Sequence, residues 1–120
     1  MIPIPETLKD VDIEDMDFFA DAINRSAILR REANRCFYCH RLVDSSNYVI
    51  EHIISRPTGN NSYRNVVASC LGCNNRKSDT PVEQFLRQLY REGFLSEPEF
   101  GDRTRAVQRL QAVKMKPIFL

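Results

Sequence analysis

A chain of 120 residues with 42% apolar residues and a net charge of +1 has the length of one ordinary domain and enough apolar material for a modest core. No apolar run approaches the roughly 20 residues that span a bilayer, which excludes a membrane-spanning helix. The opening Met1-Ile-Pro-Ile-Pro-Glu6 lacks the basic and apolar blocks of a secretory signal, so a cytoplasmic protein is expected.

The near-neutral total conceals an asymmetry. Residues 1–21 carry Glu6, Asp10, Asp12, Glu14, Asp15, Asp17 and Asp21 against Lys9 alone, a net −6 that leaves +7 for the remainder. From His52 to Ser78 the bases Arg56, Arg64, Arg76 and Lys77 stand with no acid among them. Such a field suits a polyanion such as nucleic acid, bound with moderate and salt-sensitive affinity; a solvated face is the plainer alternative.

In chain order, residues 1–11, with Pro3 and Pro5, read as an arm. Asp12 then caps a predicted helix with Glu14, Asp15 and Asp17 in its first turn, where acids complement the helix dipole. Met16, Phe19, Ile23 and Ala27 form its apolar stripe, Arg30, Arg31 and Arg35 lie near its end, and it stops before Cys36. Its expected role is packing on the segment that follows. Tyr48 to Ile54 is a β-rich run, Pro57 to Ser62 a turn-rich loop, Val66 and Val67 a second short strand, and Asn74 to Ser78 a helix.

Thr80-Pro81-Val82-Glu83 is a helix start, with threonine at the N-cap and proline in the first turn. Val82, Phe85, Leu86, Leu89 and Tyr90 form its buried face, and Gly93 suits the left-handed position after its end. Ser96 to Glu99 repeats the capping pattern. A last helix is predicted from near Arg103 to Met115, with Ala106, Val107, Leu110 and Val113 inward. These C-terminal helices read as scaffold.

All four cysteines fall in two CxxC pairs, Cys36-Cys39 and Cys70-Cys73. In a reducing compartment two such knuckles present four thiolates to one tetrahedral Zn²⁺, and a closed shell of four makes that ion structural. Cys36-Phe-Tyr-Cys39-His40 also spells a haem-attachment motif, but no export signal accompanies it and the other pair would be unexplained. A thioredoxin-like redox pair needs a βαβ context that is lacking here. His40 then reads as a solvated residue at the knuckle edge.

Any chemistry must come from the neighbours of the knuckles. Hydrolysing a phosphodiester needs a hard cation for the charge that builds on phosphate, and a base for the attacking water. Glu51 and Asn74 offer oxygen ligands suited to Mg²⁺ or Mn²⁺, and the imidazole of His52 can serve as base near neutral pH. Adjacent strand residues face opposite ways, so the backbone at Glu51 and His52 must curl or end for both to serve one site. Asn65, where the following loop closes, can hydrogen-bond across it and hold the backbone that carries His52. Singly, each of these residues has a plain structural reading: His52 as a satisfied core group, Glu51 as an ion-pair partner of Arg56 or Arg64, Asn65 as a turn former, Asn74 as a helix cap, and Arg76 and Lys77 as a solvated helix end.

Together, Glu51-His52, Asn65 and Cys70-Leu-Gly-Cys-Asn-Asn-Arg-Lys-Ser-Asp79 resemble the signature of the HNH endonuclease family. The resemblance covers roughly residues 36–80. It implies a ββα-metal finger with His52 as general base, Asn65 as the middle asparagine, Asn74 at the metal-binding third position, Glu51 as the metal-binding residue before the base, and Lys77 as the closing basic residue. Two features depart from the family pattern: the position of Glu51 is more often aspartate, and the loop Ser55-Arg-Pro-Thr-Gly-Asn60 is less glycine-rich. Ser78 stands where some members place a further histidine, which implies one metal held by few protein ligands and several waters.

The expectation is one α+β domain over residues 1–120: an N-terminal arm and helix (1–35), a zinc-bound ββα finger (36–80) and C-terminal helices (81–120). It would be a metal-dependent DNA endonuclease, monomeric and nicking one strand per site, or a homodimer. Arg56, Arg64, Arg76 and Lys77 are its expected phosphate contacts. The alternatives are a zinc finger that binds nucleic acid without cutting it and a zinc-stabilised protein-interaction domain.

Overall fold

A short antiparallel hairpin leading into a helix forms the centre of the computed structural model, which describes residues 11–55 and 58–119. The described elements run α1 (Val11–Asp15), α2 (Ala22–Arg31), β1 (Tyr48–His52), β2 (Val66–Cys70), α3 (Leu71–Lys77), α4 (Val82–Arg91) and α5 (Glu97–Gln111), an α+β arrangement. The β1–β2 register sets Glu51 opposite Val67 and His52 opposite Val66. The expected arm, the side chain of the expected cap Asp12, and Arg56 lie outside the described residues. Among the described residues no helix is long and apolar enough to cross a membrane.

The predicted single N-terminal helix is two. Asp17 Oδ1 accepts from the Phe19 and Ala20 amides, each at 2.8 Å, which closes a local turn that competes with the helix. Asp21 then caps α2 on Ile23 and Asn24. The stripe breaks accordingly: Ala27 is buried, whereas Ile23 is 71% exposed. Arg31 binds α2 to the finger, donating to the carbonyls of Tyr63 and Val66 at 2.8 and 2.9 Å while paired with buried Glu32.

Helix α4 starts at Val82 with Pro81, not Thr80, at the N-cap and no side-chain cap. Its end matches expectation: Gly93, at φ +83°, donates to Tyr90 O, and Phe94 donates to Leu89 O, the two-bond left-handed closure that glycine favours. The Ser96–Glu99 capping box opens α5, which begins earlier than predicted because that box and Pro98 nucleate it and Gly101 does not interrupt it. Val82, Phe85, Leu86 and Leu89 of α4 and Ala106, Val107 and Leu110 of α5 are buried with Ile28, Phe37, Tyr38, Val66 and Val67 in one core.

Candidate active site

The cysteine cluster is assembled by backbone geometry. In the first knuckle Cys36 N donates to Arg41 O and His40 N to Cys36 O, with His40 turned to φ +64°. Phe37 ties the knuckle to the finger, its amide donating to Ala68 O at 2.9 Å and its carbonyl accepting from buried Arg103 Nη1 at 2.8 Å. Cys70 ends β2 and caps α3, its sulfur accepting from Cys73 N at 3.4 Å.

The four sulfurs lie within 4.8 Å of one another, and Cys39 and Cys70 Sγ are 3.9 Å apart. Thiolates at about 2.3 Å from a tetrahedral zinc stand about 3.8 Å apart, so the spacing fits. Four thiols this close cannot all ionise unaided. Hydrogen bonds from Cys39, Cys70 and Cys73 push the Cys36 thiol far down, while hydrogen bonding to Cys36 and burial push Cys70 and Cys73 far up. A divalent cation is what would let all four carry charge.

Glu51, His52 and Asn74 share one cavity of about 300 Å³, completed by Phe19, Ile50, Ser55 and Ser78. Neighbours on a strand can do so because β1 ends at His52, where the chain turns. Carboxylate, carboxamide and hydroxyl oxygens form a hard donor set that fits Mg²⁺ or Mn²⁺. Ser78, at φ +46°, ψ −123°, holds a strained backbone of the kind that concentrates at functional sites.

Glu51 is buried, and Tyr38 Oη donates to its Oε1 at 2.5 Å. Burial raises the Glu51 carboxyl, outweighing the pull of Tyr38 and Lys77 toward ionisation, and pushes the Tyr38 phenol well up, so Tyr38 remains a donor. Tyr38 sits between the two knuckle cysteines. The cysteine cluster therefore reaches Glu51 through Tyr38 as well as reaching Asn74 through Cys73, a link that only the folded geometry reveals.

Asn65 spans the loop as the sequence suggested. Its Oδ1 accepts from Ile54 N at 2.9 Å, and its Nδ2 donates to Ile54 O at 3.0 Å and Asn60 O at 2.9 Å. Gly59 makes room: a Cβ there would stand 1.8 Å from Ile54 O and 2.5 Å from Asn65 Nδ2.

Two contacts of His52 were missed. The Phe19 ring stacks on the imidazole at 4.4 Å and 27°, and Asn61 Oδ1 lies 2.8 Å from His52 Nε2. Phe19 looked like helix core, and Asn61 like a turn former in an Asn-Asn pair; nothing local joins residues so distant in sequence.

The expected phosphate contacts are placed differently. Lys77 is a correction: it is 1% exposed, with Nζ 3.2 Å from Ile53 O and 3.6 Å from Glu51 Oε1, an interior group rather than a surface one. Arg64 is exposed but paired with Glu14 at 2.7 Å, so the acidic segment neutralises part of the basic loop. Arg76 is exposed, paired with Glu92 at 2.6 Å and stacked over Phe94. His40 is exposed at the knuckle edge, as expected. It borders a larger cleft of about 700 Å³ with Arg35, Arg41 and Phe94, which shares no lining residue with the His52 cavity.

A hairpin and helix that gather four cysteines, with Glu51, His52 and Asn74 lining one adjacent cavity, define a ββα finger. Residues 36–90 match the family model described as HNH endonuclease. The crystal structure of the Type II-C Cas9 enzyme from Actinomyces naeslundii is similar at a TM-score of 0.48 and 23% identity, covering 79% of this chain and 11% of that one. No curated protein sequence matches the chain.

Proposed function

We propose that the protein is a divalent-metal-dependent DNA endonuclease that nicks one strand per site, with residues 1–120 acting as one domain. The observation that carries this reading is the convergence of Glu51, His52 and Asn74 on one cavity beside the cysteine cluster. His52 accepts a proton from the water that attacks phosphorus. As the new P–O bond forms, the bond to the 3′ oxygen breaks, and that oxygen takes a proton from solvent, leaving a 5′ phosphate and a 3′ hydroxyl. Held by Glu51 and Asn74, Mg²⁺ or Mn²⁺ would neutralise charge on the phosphate and on the departing oxygen.

Asn65 keeps the backbone after His52 in place, and Tyr38 and Lys77 hold the Glu51 carboxylate. Arg76, able to exchange Glu92 for a phosphate, anchors the strand, and Arg64 can do the same on leaving Glu14. A single set of oxygen ligands cuts one strand, so a double-strand break requires a second copy or a second event.

The test is supercoiled plasmid incubated with purified protein in Mg²⁺ or Mn²⁺. Conversion to open circles is expected, with the rate in His52→Ala lower by about 10² to 10⁴, the usual worth of a positioned base. No conversion by the wild type, or an undiminished rate in the variant, rejects the mechanism and leaves a zinc finger that binds without cutting.

A further inference from the structure

A chain of hydrogen bonds runs from His52 out of the finger and into the N-terminal segment. His52 Nε2 lies 2.8 Å from Asn61 Oδ1, and Asn61 Nδ2 lies 3.0 Å from Asp17 Oδ2. The two segments are also joined through backbone, Phe18 N donating to Asn61 O at 2.9 Å.

The far end of this chain dictates its direction. A carboxylate only accepts hydrogen bonds, so Asn61 must turn its NH₂ group to Asp17. Its carbonyl oxygen is then the atom that faces His52, and a carbonyl also only accepts. Nε2 must therefore carry the hydrogen, which leaves the lone pair of the neutral ring on Nδ1. The stacked Phe19 ring covers one face of the imidazole and restricts its rotation.

We propose that Asp17, acting through Asn61, sets the tautomer and orientation of His52 so that Nδ1 is the proton acceptor, with Phe19 as a wall against the ring. Asp17, Phe19 and Asn61 are thus positioning residues. Asp17 and Phe19 lie outside the segment matched to the nuclease family, so the N-terminal segment completes the centre. The consequence for catalysis rests on the proposed role of His52 as general base; the hydrogen-bond direction does not.

Asp17→Asn is the informative variant, because asparagine keeps its oxygen on the Phe19 and Ala20 amides and turns an NH₂ group toward Asn61, which favours the opposite orientation of the Asn61 amide. Imidazole ¹⁵N NMR at about pH 8, where an ordinary imidazole is neutral, reads the tautomer directly. The chain has two histidines, and His40→Gln assigns the signals. The wild type should show His52 protonated on Nε2, with a shift toward Nδ1 protonation in Asp17→Asn and a mixture of tautomers in Asn61→Ala. In plasmid nicking both variants should lower kcat by about 10- to 100-fold, the usual effect of losing a partner that orients a functional histidine, with KM little changed. His52 protonated on Nδ1 in the wild type overturns the proposal, as does an unchanged tautomer and kcat in Asp17→Asn with the fold intact by circular dichroism. A wild type without nicking whose tautomer still depends on Asp17 would reject the nuclease reading and leave the positioning chain standing.

Discussion

Lys77 Nζ lies 3.6 Å from Glu51 Oε1 with both side chains almost closed to solvent, so the last turn of α3 is tied through the interior to the carboxylate at the cavity. Lys77 also donates to Ile53 O at 3.2 Å, fixing the turn after His52. A buried pair is a poor source of net stability, but removing one member leaves the other charge uncompensated. Lys77→Met should destabilise the protein by about 3 kcal/mol, read from urea unfolding. In the fraction that remains folded, the dependence of DNA affinity on salt should match the wild type, because an interior ammonium releases no counterions. Wild-type stability with a shallower salt slope would return Lys77 to the surface role that its sequence position suggested.

Asn65 and Gly59 act as one clamp on the loop behind His52. Asn65→Ala removes a donor and an acceptor and strands the Ile54 amide and carbonyl, which should lower stability by about 1 to 3 kcal/mol and depress nicking together. Gly59→Ala should fail for a steric reason, since its methyl would overlap Ile54 O. The comparison is informative: an active, stable Gly59→Ala would mean that the loop has freedom the clamp denies it.

How much of this was legible in the sequence depends on the range over which each signal acts. The cysteine pairs, the strand beginning at Tyr48, the Ser96 cap and the Gly93 terminus are local patterns, and the structure agrees with each, although the strand stops at His52, two residues short of the β-rich run. Asn65 was legible in position and in hydrogen bonding because it closes a loop of a dozen residues. What escaped were tertiary relations. Lys77 and Arg64 carry the same charge as a phosphate-binding residue, yet their partners, Glu51 and Glu14, are 26 and 50 positions away in the chain. Phe19 has helical spacing from Met16 and Ile23, and only the short turn made by Asp17 diverts it onto His52. The acidic N-terminal segment, read as a charge imbalance, proves to be packed against the loop that carries Asn61 and Tyr63.

That packing has a pH signature. The Glu14 carboxyl is held below its ordinary 4.5 by the Tyr63 hydroxyl and by Arg64, Glu92 likewise by Arg76, and Glu99 by the Ser96 amide at the start of α5. A carboxyl whose pKa is lower folded than unfolded binds its proton first in the unfolded chain, so the stability it supplies is full above about 4.5 and is lost as pH falls through the folded value. Glu51 has the opposite sign, its raised carboxyl favouring the folded state less as pH climbs above 4.5. Thermal midpoints should therefore decline below about pH 4.5, and Glu14→Gln should flatten that decline at the cost of a lower midpoint at pH 7. An identical profile for the variant would show that the Glu14 contacts with Tyr63 and Arg64 contribute nothing to folding.

The cysteine cluster makes the most demanding prediction, because three separate connections depend on it. Cys70 caps α3, Cys73 precedes Asn74, and the knuckle holding Cys36 and Cys39 carries Tyr38 onto Glu51. Purified protein should contain one tightly held zinc per chain, plus a weaker, exchangeable divalent ion. Structural zinc contributes about 10 to 16 kcal/mol of apparent binding free energy in finger peptides, comparable to the whole stability of a small domain. Chelation, or Cys39→Ser, should therefore collapse the far-ultraviolet circular dichroism of the finger and abolish nicking together, whereas a reductant alone should do neither. Zinc-free protein that keeps its spectrum while its thiols react freely would show that the core of α2, α4 and α5 carries the finger unaided, and that the metal is not its scaffold.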